Sequence, residues 1–320
     1  MTVHLVSVGL TLRDSLADPK QFLDGDHEDV FYALLDRAET LIPSRGDLDR
    51  HRKEIARQLV PNTSEADRLL TEINEVRPDL WLSRASAELA ALARYSDRRS
   101  TDLPRKARLD AGSKDTVVLL TTDTVAGLRS ALWNALALTS GDPTRVLWLP
   151  TPQDPVSHPE GKVIIAPITG LAVGDPDAMF RAMRNLGLLG HALVDDIVGP
   201  GKDYVFHLSG GYKATIPYLI GLAEGMRGLK DKDKVASVTA YVLHEDDLSH
   251  LIPLPLRILP YEVLQDELES VDWDDQPPHG LGRRLHQVSG HQLLDGYAYE
   301  RRNKEWRLTP FGEGLLHLIP

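Results

Sequence analysis

Thr116-Val117-Val118-Leu119-Leu120-Thr121-Thr122-Asp123-Thr124-Val125-Ala126-Gly127-Leu128 is the stretch that decides the architecture. It opens on a nearly continuous apolar run, as expected of a strand covered on both faces, and a short polar turn leads directly into a helical period over 125–138. The same alternation continues downstream. Apolar runs at 146–149, 163–166, 204–208 and 235–243 read as strands, and the periods of 177–197 and 213–226 read as helices. Upstream, His4-Leu5-Val6-Ser7-Val8 is a short β-rich run that stops at Gly9. Strand and helix in alternation predict an α/β fold with a doubly wound, mostly parallel sheet. In such a sheet ligands bind beyond the carboxyl ends of the strands. The loops after Val8, Leu120 and Leu208 are therefore the candidates for a site.

Between the first strand and residue 116 the pattern is helical. Phe31, Leu34 and Leu35 share one face, and Ala66, Leu69, Leu70 and Ile73 share another behind a Ser64 cap; a third period covers 81–93. These mark a helical insertion at about 27–97 in an α/β domain of 1–260. Residues 97–114 hold Pro104, Gly112 and six Lys or Arg, and read as a surface loop. Beyond 260 the chain passes through an acidic stretch at 266–275 and the turn Pro277-Pro278-His279-Gly280. It ends in two short strands around the charged turn Arg302-Asn303-Lys304, with a helix from Thr309. A hairpin beside a helix predicts a small winged-helix-like C-terminal domain over 261–320.

The 320 residues are 42% hydrophobic and 26% charged, an ordinary globular composition. With 36 Lys plus Arg against 47 Asp plus Glu, the formal charge of −11 excludes a uniformly basic nucleic-acid coat, though not a local basic pocket. The absence of cysteine excludes disulfides, a thiol nucleophile and any thiolate-held metal. Charges at Arg13, Asp14, Asp18 and Lys20, and the lack of any apolar run near ~18 residues, predict neither signal peptide nor membrane span. A cytoplasmic protein is the expectation.

His207-Leu208-Ser209-Gly210-Gly211-Tyr212-Lys213 is the sharpest local signal, at the end of a buried strand and ahead of an apolar helix. Paired glycines permit close backbone approach, amides at a helix start favour an anion, and Lys213 adds positive charge. It is neither a Walker loop nor GxGxxG. The bland alternative is an ordinary tight turn. In the loop after Leu120, Thr122 or Asp123 is expected to cap the following helix. Arg45 with His51, and Arg284 with His291, fit the loose Arg-x(4–6)-His spacing of HEPN ribonucleases, a pattern that twelve histidines match by chance. No HExxH, paired-His metal motif or GxSxG elbow occurs.

The order of these features resembles the CRISPR-associated Rossmann-fold (CARF) proteins, in particular the branch that includes stand-alone ring nucleases. Val6-Ser7-Val8-Gly9-Leu10-Thr11-Leu12 looks like that family's first strand and loop. Arg84-Ala85-Ser86-Ala87-Glu88-Leu89 is similar to its helical SAE stretch, and Thr122-Asp123-Thr124 with Gly127 to its second loop. Ser209-Gly210-Gly211-Tyr212-Lys213-Ala214, continuing through Ile216-Pro217-Tyr218, resembles its TGGFKA…PY signature. Leu251-Ile252-Pro253-Leu254-Pro255 is similar to the segment that closes the domain.

The resemblance implies a Rossmann-like CARF domain that binds a cyclic oligoadenylate, with cyclic tetra-adenylate expected, in a cleft across a homodimer axis. The ligand-binding residues implied are Gly9, Leu10, Thr11, Thr122, Asp123, Thr124, Ser209, Gly210, Gly211, Tyr212 and Lys213, with Lys213 and Thr11 catalytic. It implies cleavage without metal or cofactor to linear di-adenylate with a 2′,3′-cyclic phosphate, which switches off type III CRISPR signalling. The chain departs from the pattern in three places. Thr11 stands where serine is common, His207 stands where asparagine is common, and the acidic helical insertion matches nothing assigned. Beyond the loose Arg284–His291 spacing, no convincing HEPN, PIN or other nuclease domain follows residue 260, which favours a degrading enzyme over an activated effector. The other reading is a non-catalytic sensor or transcriptional regulator whose Arg283, Arg284, Arg301, Arg302, Lys304 and Arg307 meet DNA; against it stands a solvated tail that packs on the dimer.

Overall fold

β1 (Thr2–Ser7) lies between β2 (Thr116–Thr122) and β5 (Lys202–His207) and pairs with both in parallel. β4 (Val163–Ile168) and β3 (Val146–Trp148) extend the sheet beyond β2; β6 (Val235–Leu243) and β7 (Leu251–Leu254) extend it beyond β5. The resulting order, β3-β4-β2-β1-β5-β6-β7, is parallel except for the antiparallel β7. The α/β class and the mostly parallel sheet follow the alternation in the sequence. This computed structural model describes residues 1–9, 86–96, 109–110, 112–140, 142–149, 151–171, 176–211, 213–244, 250–269, 271–275, 282–285, 288 and 292–319. The helical periods before residue 86, which make up most of the expected insertion, and the basic stretch 97–108 lie outside them.

The strands form where the apolar runs are because both faces of the sheet are covered. On one face Val3, Leu5, Val118, Leu120, Ile164, Tyr204 and Phe206 join a single core with Ala182, Leu186 and Leu189 of α3 (Pro176–Ala192) and Leu219, Leu222 and Met226 of α4 (Ile216–Gly228). The other face carries α1 (Ala87–Ser96) and α2 (Val125–Thr139). Alternation along β1 thus sends Val3 and Leu5 one way and His4 the other, where Tyr95 of α1 meets it edge-on. β7 was not legible as a strand because it contains Pro253. At the rim of the sheet a residue without an amide hydrogen is tolerated.

After β7 the chain forms α5 (Tyr261–Leu264) and a three-stranded sheet ordered β8-β10-β9, from β8 (Arg284–Leu285), β9 (Tyr299–Arg302) and β10 (Glu305–Leu308). It ends in α6 (Pro310–Leu318). Asn303 and Lys304 both have positive φ, as a two-residue hairpin between right-twisted strands requires, and Thr309 caps α6 by accepting from the Gly312 amide at 3.1 Å. Both details match the expected hairpin and helix. The boundary expected near residue 260 falls between β7 and α5, and hydrophobic packing crosses it. Tyr299, Trp306, Leu308, Leu315 and Leu318 belong to the same core as the large sheet. At the α3–α6 crossing, a Cβ at Gly187 would overlap the Gly314 carbonyl, so the helices meet backbone to backbone.

Glu313 of α6 is almost wholly buried and receives the guanidinium of Arg283 at 3.0 Å, with His317 at 3.1 Å. Burial would raise its carboxyl, but the His317 hydrogen bond and the Arg283 charge outweigh this and hold it below its usual range. Removing one partner strands a buried charge. Glu313→Gln is expected to lower the unfolding free energy by about 3 kcal/mol in chemical denaturation. Pairing Arg283→Leu with Glu313→Leu should recover most of that loss.

Candidate functional site

From β1 the chain goes to β2 on one side and later to β5 on the other, so the winding reverses at β1 and opens a crevice at the carboxyl ends of these strands. The pairing runs to the rim: the Val8 amide donates to the Leu120 carbonyl at 2.9 Å, and that of Leu208 to Tyr241 at 2.9 Å. The three loops singled out in the sequence therefore leave adjacent strands at one edge.

The structure brings together Gly9, Thr122, Asp123, Thr124, Ser209, Gly210, Gly211 and Lys213 along that edge. Leu10, Thr11 and Tyr212 lie outside the described residues, as do Arg45, His51 and His291. Lys213 is exposed and opens a single turn of 3-10 helix (Lys213–Thr215) ahead of α4. The helix cap differs from expectation: Thr124, rather than Thr122 or Asp123, accepts from the Gly127 amide at 3.1 Å. Thr124, directly before α2, has the extended backbone of a cap, and Thr122 bonds its hydroxyl at 2.8 Å. Ser209 also has a structural duty, because its hydroxyl accepts from the Leu243 amide at 2.7 Å and ties the loop to β6.

The Gly-Gly turn fits close under its neighbours. Gly211 has φ +90, which side-chain-bearing residues rarely adopt, and a Cβ at Gly210 would overlap the Glu88 carboxylate. From below, the Ser7 hydroxyl donates to the Gly210 carbonyl at 2.6 Å. Glu88 also accepts from the Gly9 amide at 2.6 Å, through Oε1. It is 1% exposed, and burial pushes its carboxyl up against the lowering effect of the Gly9 amide. Sequence reasoning assigned Glu88 no role. It appeared only within the Arg84-Ala85-Ser86-Ala87-Glu88-Leu89 resemblance, and the signal that could have found it is a lone acid at the head of the otherwise apolar Ala87-Glu88-Leu89-Ala90-Ala91-Leu92-Ala93.

A second buried polar group lies one turn back along the strands. His4 Nδ1 and His207 Nε2 are 3.1 Å apart across the β1–β5 pairing. Tyr95 is edge-on to both rings at 5.4 Å, and its own ring meets Tyr241 at 5.5 Å. One proton shared between the facing nitrogens makes the bond, so both rings are held neutral. Burial lowers His4 to about 4, against the pull of Asp115, and burial followed by the His4 charge lowers His207. The place of His207 just before the loop signature is thus explained by its partner on β1. Among the described residues no group of three or more His, Asp or Glu side chains is arranged to hold a metal ion.

Comparison with known proteins adds nothing to this geometry: no protein-family model matches the chain, and no curated protein matches it.

The histidine pair makes stability depend on pH in one direction. As pH falls below about 6.5 the unfolded chain takes up protons that folded His4 refuses until about 4, so folding weakens across that window and is at full strength above it. Thermal unfolding between pH 7.5 and 4 should show this decline, and the double variant His4→Leu, His207→Leu should flatten it.

Proposed function

We propose that this chain binds a cyclic oligoadenylate, cyclic tetra-adenylate in the first instance, at the carboxyl edge of β2, β1 and β5 and cleaves it as a ring nuclease of the CARF kind. The observation that carries the reading is the adjacency of the three loops at the reversal of the sheet, with Gly210-Gly211 and Lys213 at the head of α4. Glycine backbone and a cation beside a helix start suit phosphate oxygens.

The reaction needs little beyond alignment. An adenosine 2′-oxygen attacks the adjacent phosphorus, the bond to the 5′-oxygen breaks, and a 2′,3′-cyclic phosphate remains. The 2′-hydroxyl proton leaves to solvent and the 5′-oxygen gains one. The protein holds the two oxygens in line and stabilises charge on the phosphoryl oxygens. Lys213 supplies that charge, the Gly210 and Gly211 amides add donors, and the Thr11 hydroxyl holds the ribose. No metal or cofactor enters. A two-fold ring suits a two-fold cleft, so a homodimer presents both sets of loops.

A non-catalytic sensor is the second reading, favoured by one feature. Tyr218, in the first turn of α4, stacks on Phe311 of α6 at 4.6 Å, and Tyr297 meets Phe311 at 4.9 Å. Tyr297 also bonds Glu224 of α4, which holds Arg257. The helix that follows the Lys213 turn is thereby packed on the C-terminal segment, so occupancy of the edge can be felt there. A winged-helix-like, DNA-binding tail is harder to support, because Arg283, Arg302 and Arg307 each meet a carboxylate within the segment.

Radiolabelled cyclic tetra-adenylate incubated in EDTA with the wild type should yield linear di-adenylate, and Lys213→Ala should slow this by about a hundredfold. Tight binding with an intact ring selects the sensor; no binding discards the ligand. Light scattering should give twice the 35.5 kDa chain mass, with one ring per pair of chains. A monomer would count against the cleft.

A further inference from the structure

Glu88 is an expensive residue to place where it is. A carboxyl in the first turn of a helix favours the helix dipole from solvent just as well, so that role does not require a side chain 1% exposed. Its surroundings give another reason. α1 is fixed at its head: the Ser86 hydroxyl accepts from the Leu89 amide at 3.0 Å and donates to Asn134 of α2 at 3.0 Å. From that anchored turn Oε1 takes the Gly9 amide, while the carboxyl fills the space a side chain at Gly210 would need. Oε2 is buried without a hydrogen-bond partner among the described residues. Ser7 closes the arrangement from the strand through the Gly210 carbonyl.

We propose that Glu88 is the positioning residue of the candidate site, a clamp that sets Gly9, just past the end of β1, against the Gly210-Gly211 turn after β5 before any ligand arrives. The clamp is a matter of geometry; that it serves an oligoadenylate rests on the function proposed above. The β1–β5 pairing brings the two strand ends side by side, and contacts between the turns that follow them set how those turns face a common ligand. Glu88 acts on both at once and touches no reacting atom. A carboxylate beside a polyanion site would repel the ligand if charged, and burial favours its neutral form. Shape and hydrogen bonding, rather than charge, are then what the clamp supplies.

This separates two substitutions. Glu88→Gln keeps the acceptor for Gly9 and the volume against Gly210, whereas Glu88→Ala removes both. In hydrogen–deuterium exchange of the ligand-free protein, Glu88→Ala should deprotect the peptides carrying Gly9 and Gly210-Gly211 together, while Glu88→Gln stays near wild type. Ser7→Ala should loosen the Gly210-Gly211 peptide more than the Gly9 peptide, and it tests the same joint if Glu88→Ala fails to fold. With cyclic tetra-adenylate, affinity should fall at least about tenfold in Glu88→Ala and be held or improved in Glu88→Gln. Unchanged exchange at Gly210-Gly211 in Glu88→Ala would overturn the clamp, and so would a Gln variant as impaired as the Ala variant. If the wild type binds no cyclic tetra-adenylate but the exchange pattern holds, the clamp stands and the ligand is wrong.

Discussion

Parallel strands cannot be joined by a tight turn, and that constraint organises this molecule. Each return to the same end of the sheet needs a crossover, so helices cover both faces and the strands become apolar throughout. With β1 in the middle of the sheet, the later strands extend it first in one direction and then in the other. The gap between the two directions is where the chain leaves the carboxyl ends of β1, β2 and β5. Polar backbone at those ends is satisfied locally, by Thr124 on the α2 start, Ser209 on β6 and Ser7 on the Gly-Gly turn.

Against that apolar background the buried polar groups stand out. His4 and His207 face one another across neighbouring strands, and Glu88 reaches from α1 to two loops. Each costs desolvation that an aliphatic side chain at the same position would avoid. All three lie beside the β1–β5 joint, one layer beneath the candidate edge. A joint held by hydrogen bonds has one preferred register, whereas apolar contact alone tolerates sliding. The polar groups therefore bring geometric definition to the region in which two phosphate-facing loops have to agree.

The C-terminal segment extends this argument beyond the sheet. α6 lies along α3 and reaches α4, and its Phe311 sits between Tyr218 and Tyr297. Because α4 begins at the Lys213 turn, the segment braces the helix that delivers the cation to the edge. Three of its arginines are engaged with carboxylates of the same segment, Arg283 and Arg307 largely buried and Arg302 at the surface.

What the sequence by itself determined was local. Apolar runs and helical periods placed β1, β2, β4, β5, β6 and the helices α2 to α4 within a few residues, because pattern and burial are set by near neighbours. The hairpin at Asn303-Lys304 and the helix from Thr309 were legible for the same reason. The loops were legible as candidates, since a parallel sheet puts function at the carboxyl ends of its strands. Which loops would be neighbours was a matter of strand order, and that depends on pairings such as Ser7 with Gly210, 203 residues apart. Tertiary structure alone set Glu88 against Gly9 and Gly210, matched His207 with His4, and carried the core of the sheet into α6. Contacts between segments distant along the chain leave no periodic trace in it, because they are fixed by complementary shape and mutual burial after each element has formed.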